Sequence, residues 1–151
     1  MGLIVVAPSA ALTSMGMDKS GDLAVAKDTT TALKVSGWTA RTGYPDTVIS
    51  AANEILIAGS GAGIARCKVT LSAAWSPSAG AFHVSLMQNN AEIKGMDFPS
   101  GQSVATLSDT PIVVQPGDRL WLAVTNSTTG IFGVTATVKG GNGTYVTFDV
   151  T

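Results

Sequence analysis

The chain has 151 residues, a formal net charge of −1, one cysteine and one histidine, and only 13% of its residues are charged. One domain of that length buries a hydrophobic core without disulfides or metal, and the lone Cys67 excludes an internal disulfide framework. Lysine and arginine are scattered rather than clustered, which argues against nucleic-acid binding, and no apolar run approaches the ~20 residues of a membrane span. Typical soluble domains carry ~25% charged residues. So weakly charged a surface implies that other subunits cover much of it.

Residues 1–30 read as an extended arm. The apolar run Leu3, Ile4, Val5, Val6 is the candidate anchor, followed by Pro8 and the polar turn Asp18-Lys19-Ser20-Gly21-Asp22. The first positive charge is Lys19, so a secretory signal is not expected and synthesis in the cytoplasm is. From residue 31 onward, short alternating segments follow one another. Leu33 and Val35 alternate with Lys34, Ser36 and Trp38, a turn follows at Gly43-Tyr44-Pro45-Asp46, and Glu54 to Ala58 is a short strand. After Gly59-Ser60-Gly61-Ala62-Gly63, the run Ile64 to Trp75 is the longest, with Cys67, Val69, Leu71, Ala73 and Trp75 on one face. Cys67 is therefore expected as a small buried core residue.

Phe82, Val84 and Leu86 alternate next, and Asn89-Asn90 turns the chain into Glu92-Ile93-Lys94. Val104 to Leu107 and Ile112 to Val114 follow, with Pro111 demoting its strand to an edge or bulge. Pro116-Gly117-Asp118 is a tight turn feeding a strand with Leu120, Leu122 and Val124 on one face and Arg119, Trp121 and Ala123 on the other. Phe132, Val134, Ala136 and Val138 alternate, Gly140 to Gly143 reads as a turn, and Tyr145 to Val150 closes the chain. Strands at ~8–12-residue spacing with turn signals between them predict an all-β sandwich or barrel, with no helix.

This order of elements resembles the jelly roll of the tumour-necrosis-factor cytokines and the globular heads of complement-type collagens, over residues 31–151. The residues that carry the resemblance are a Trp-bearing first strand (Val35 to Arg41), Val48-Ile49 and the long strand ending at Trp75. They are joined by the Phe82-to-Ile93 hairpin, Pro-Gly-Asp before Leu120-Trp121-Leu122, and the closing strand Tyr145 to Val150. The resemblance implies a jelly-roll β-sandwich of about ten antiparallel strands that assembles as a homotrimer. The Ala/Gly/Thr-rich style, including Trp38-Thr39-Ala40-Arg41-Thr42-Gly43-Tyr44-Pro45, is similar to small minor tail proteins of phages of high-GC actinobacteria. That implies a virion structural protein, with the arm tying the trimer to a tail or major capsid protein.

No set of groups for catalysis emerges. A triad or a histidine-based metal site would have to rest on His83, whose sequence neighbours include no acid, so no enzyme and no cofactor is expected. Asp18, Asp22 and Asp28 do not fit a calcium-loop spacing, and the glycine run at 59–63 lacks the ending of a phosphate loop. Trp121, Tyr145, His83 and Trp38 are the candidate subunit-interface residues, since aromatic side chains are enriched at interface cores. Replacing Trp121 by alanine is expected to weaken the trimer. The leading expectation is a trimeric minor tail protein, with a capsid decoration protein as the alternative. A module binding a host-surface glycan or receptor is the alternative of another class, favoured by any exposed aromatic in the end loops.

Overall fold

A computed structural model of the chain describes Gly2, Leu3 and residues 10–151. The strands, in chain order, are β1 (Met15–Lys19), β2 (Leu23–Val25), β3 (Thr29–Lys34), β4 (Trp38–Ala40), β5 (Ile55–Leu56), β6 (Gly61–Trp75) and β7 (Phe82–Gln88). They continue with β8 (Ala91–Asp97), β9 (Gln102–Thr106), β10 (Thr110–Val114), β11 (Arg119–Asn126), β12 (Ala136–Val138) and β13 (Gly141–Val150). Every described pairing is antiparallel, and the strands form two sheets.

The first sheet is organised by β6. On one side it meets β13 (Phe148 opposite Ala65) and then β12 (Val138 opposite Leu71). On the other it meets β10 (Thr110 opposite Ala65) and β9 (Lys68 opposite Thr106). β1 lies beside β13, β2 beside β12, and β4 beside β1. Three pairs of segments are therefore collinear: β1 with β2, β9 with β10, and β12 with β13. Counting each pair once leaves the ten strands of a jelly roll. The second sheet runs β3-β11-β7-β8, with β5 beside the start of β11.

The core lies between the sheets and follows from period-two alternation. Cys67, Val69 and Leu71 of β6 and Val146 and Phe148 of β13 face Leu120, Leu122 and Val124 of β11 and Phe82, Val84 and Leu86 of β7, all buried. Each large apolar side chain removed from water stabilises the fold by roughly 1.5–3 kcal/mol. Trp75, Phe82 and Phe98 close one end of the sandwich, with ring centroids 5.6 and 6.0 Å apart. The Asn89-Asn90 turn forms as expected, Asn89 adopting φ +55°. Pro111 sits on β10, which has no described strand on its outer side, the position where a missing N–H is tolerated.

Four expectations are corrected. Residues 1–30 are not an arm as a whole: β1 lies between β13 and β4, with Met15, Met17 and Lys19 buried, and β2 and the start of β3 also belong to sheets. Gly, Asp and Lys in β1 mask its alternation, and the fold compensates them. Arg41 binds Asp18, and the Lys19 amine donates to the Ser20 and Gly21 carbonyls at 3.1 and 2.8 Å. Of the expected Trp-bearing first strand, Val35 to Arg41, only β4 (Trp38–Ala40) is strand, because Gly37 (φ +78°) swings the chain across the sandwich from β3 in one sheet to β4 in the other. Gly140 to Gly143 does not reverse the chain but kinks it between β12 and β13, held by Thr70 Oγ1 donating to the Gly143 carbonyl at 2.7 Å. Phe132 and Val134 lie outside any strand: Gly130–Phe132 is a single 3-10 turn.

Candidate functional site

The outer face of the β6 sheet carries Tyr145, Thr147 and Asp149 of β13, Ala62, Ile64, Arg66 and Lys68 of β6, and Pro111 and Val113 of β10. At the β10 edge, Ala62, Ile64, Pro111, Val113 and Thr151 line an open, mostly apolar groove of about 300 Å³, and Val113 is 70% exposed. Beside it the charges compensate one another. Arg66 grips Asp109 through Nε and Nη2, both at 2.9 Å, and reaches Asp149 at 2.5 Å, while the Tyr44 hydroxyl donates to Asp149 at 2.9 Å. Arg41 lies 4.1 Å over the Tyr145 ring and pairs with Asp18. This face is therefore an apolar edge with the paired charges of Arg66, Asp109 and Asp149 beside it.

The outer face of the other sheet carries Trp121, Ala123 and Thr125 of β11, and His83, Ser85 and Met87 of β7. Trp121 is half-buried within its own domain. Its Nε1 donates to the Asn89 carbonyl at 2.7 Å, and the Lys34 amine sits 4.4 Å over its ring. The turn before it is fixed by Asp118, whose carboxylate accepts from Asn89 Nδ2 at 2.9 Å, Gln88 Nε2 at 3.1 Å and the Gln115 amide at 2.9 Å. Burial raises the Asp118 pKa, and these donors outweigh it, leaving the carboxyl below its ordinary value.

The structure does not bring the four sequence-predicted interface residues together. Trp38 is core, only 9% exposed, and its Nε1 donates to the Val35 carbonyl at 2.8 Å; its expected interface role is withdrawn, because β4 directs the ring between the sheets. Tyr145 lies on the β6 face, while Trp121 and His83 lie on the opposite face. Of the arm candidates, Leu3 is 89% exposed, and Ile4, Val5 and Val6 lie outside the described residues.

His83 does have acids beside it, contrary to the sequence expectation. Asp97 and Glu92 of β8 contact its two ring nitrogens. Counting back from the Asn89-Asn90 turn sets Met96 opposite His83, but a bulge at Ile93 shifts the register and brings Asp97 there instead. Ser85 donates to Glu92, not to the imidazole, and the cluster stands on an open sheet face, so it is not a nucleophile–base pair. Asp18 and Asp22 serve ion pairs with Arg41 and Lys139. Among the described residues no histidine, cysteine and carboxylate grouping is arranged to hold a metal ion.

Sequence reasoning also missed the loop end. Ile131 and Phe132 are 91% and 71% exposed at the tip of a loop whose base is locked by buried side chains. Asn126 Nδ2 donates to the Val25 and Val134 carbonyls at 3.1 and 2.8 Å, and Thr128 Oγ1 donates to Asn126 Oδ1 at 2.7 Å. Conversely Phe98, at the start of the loop that follows β8, is buried.

No protein-family model matches the chain, and no curated protein matches it. Among solved structures it is similar to the tumour-necrosis-factor protein Eiger from S. frugiperda, with a TM-score of 0.59 at 12% identity over 93% of this chain and 92% of that one. It is also similar to rabbit GITRL, with a TM-score of 0.53 at 15% identity over 93% and 94% of the two chains. At these identities the likeness concerns architecture: the chain has a tumour-necrosis-factor-like jelly-roll fold.

Proposed function

We propose that the chain is a non-enzymatic structural subunit of a tailed-bacteriophage particle, a homotrimeric jelly roll that serves as a minor tail protein. The observation that carries the assembly role is the open apolar groove at Ile64, Pro111 and Val113, which no described residue covers, set on an edge strand of a surface poor in charge. Subunits meet through this outer face of the β6 sheet, with Tyr145 beside the contact, and residues ahead of β1 reach toward the tail or major capsid protein. The phage setting is supported by the sequence style, and a capsid decoration protein is the variant of the same reading. Sedimentation of the purified chain is expected to give three times the monomer mass, and Val113→Asp is expected to give the monomer. A wild-type monomer overturns the trimer, and a Val113→Asp trimer overturns this face. Antibody labelling of purified particles separates tail from head.

Exposed Phe132 favours a second reading, in which the loop end contacts a host-surface glycan or receptor. Binding of host cells by the wild-type chain and its loss in Phe132→Ala is the expected result of that reading; equal binding by both removes it.

A further inference from the structure

A neutral imidazole has one N–H and one lone pair. His83 presents both nitrogens to carboxylate oxygens, Nδ1 at 2.8 Å from Asp97 Oδ1 and Nε2 at 3.0 Å from Glu92 Oε2. Ionised carboxylates only accept, so both contacts are hydrogen bonds for the imidazolium alone. Without its proton, one contact becomes a pair of facing lone pairs, between two acids that then repel one another. We propose that His83 is a proton-operated latch, fastening the edge strand β8 to β7 through Glu92 and Asp97.

The strand is built around this contact. β8 pairs with β7 and with no other described strand, so across-strand fastening matters most there. The bulge at Ile93 sets Glu92 and Gly95 on the His83 face. Gly95 keeps the space clear: a Cβ there would collide with Glu92 Oε1 and stand 2.7 Å from His83 Nε2. Ser85 donates to Glu92 and orients it. On β11, the other neighbour of β7, Thr125 stands opposite His83, and the cations of this sheet face, Lys34 and Arg119, pair with Glu54 instead. Lys94, the cation of β8 itself, stands opposite Leu86 and so on the other face of the strand, and among the described residues His83 is the only ion-pair partner of either acid.

Burial lowers the His83 pKa, but hydrogen bonds and charge from Asp97 and Glu92 outweigh it, and the folded-state value lies above the ordinary 6.5. The Ser85 hydrogen bond, reduced by burial and reinforced by His83, holds Glu92 below its ordinary 4.5. The sign follows from linkage. The histidine contribution is complete below pH 6.5 and is lost as pH rises through the raised folded value, and the glutamate contribution is lost as pH falls through its depressed one. The latch is thus closed across mildly acidic pH and opens toward alkaline pH.

The test is amide hydrogen exchange of the intact chain from pH 5.5 to 9.5, corrected for intrinsic rates, with the His83 pKa read by NMR. Amides of Ala91–Asp97 are expected to lose protection as His83 deprotonates, about tenfold for each unit by which its pKa exceeds that of the unfolded chain. β13 should not follow. His83→Gln is expected to remove the pH step, and Glu92→Gln to shrink it in a chain that keeps its histidine. β8 and β13 changing in parallel, or a step that survives in His83→Gln, overturns the latch.

Discussion

Cys67 shows how alternation along one strand sets the chemistry of a side chain. Its place between Ala65 and Val69 directs the thiol into the core, where burial pushes its pKa up to about 12. The folded protein should therefore resist thiol reagents at pH 8, and labelling should proceed only at the rate of global unfolding. Rapid modification of the native chain, followed by mass spectrometry, would contradict this. Glu54 poses the opposite problem, a carboxylate with 3% of its side chain exposed, balanced by Lys34 at 3.3 Å and Arg119 at 3.7 Å. Replacing both cations with methionine should cost about 3 kcal/mol, because a buried charge is left without a partner. Glu54→Gln should cost less, since the two cations are partly exposed and return to water. Urea denaturation of the two variants checks the order.

At the scale of elements, the start of β6 is also a docking site for the segment that precedes β1. Leu12 packs against the core, and a Cβ at Gly59 would lie 2.5 Å from the Leu12 amide nitrogen and 2.7 Å from its Cα. Ser14 Oγ accepts from the Val150 amide at 2.9 Å. Gly59→Ala is therefore expected to detach residues 10–13 while leaving the sheets intact, read as faster exchange confined to those amides. The hairpin of β7 and β8 was legible because Asn89-Asn90 is a strong turn signal between alternating runs. Its bulge was not, since Ile93 has no property that marks it as the extra residue. That one-residue shift put the acids beside His83, and with them the cluster that the sequence did not reveal.

For the whole molecule, the two outer sheet faces make opposite predictions about assembly. Trp121 is covered by Lys34 and tied to Asn89 inside its own domain, whereas Ile64, Pro111 and Val113 have no covering group among the described residues. Trp121→Ala is thus expected to lower stability by about 1–3 kcal/mol through lost packing, with the sedimenting mass unchanged. A fall in mass in Trp121→Ala would move the contact to the β11 face and restore the expectation drawn from sequence.

Alternating runs, turn residues at short intervals and a long strand ending in Trp75 determined an all-β sandwich or barrel by themselves, and the resemblance carried by their order narrowed it to a jelly roll. They did so because strand periodicity and turn geometry are local properties. Tertiary structure decided what each exposed or polar side chain meets. It buried Trp38, drew β1 out of the expected arm, exposed Phe132 and set two carboxylates against His83. Those outcomes depend on sheet order and register, which bring together residues such as Asp18 and Tyr145 that lie far apart in the chain, and no local pattern encodes them.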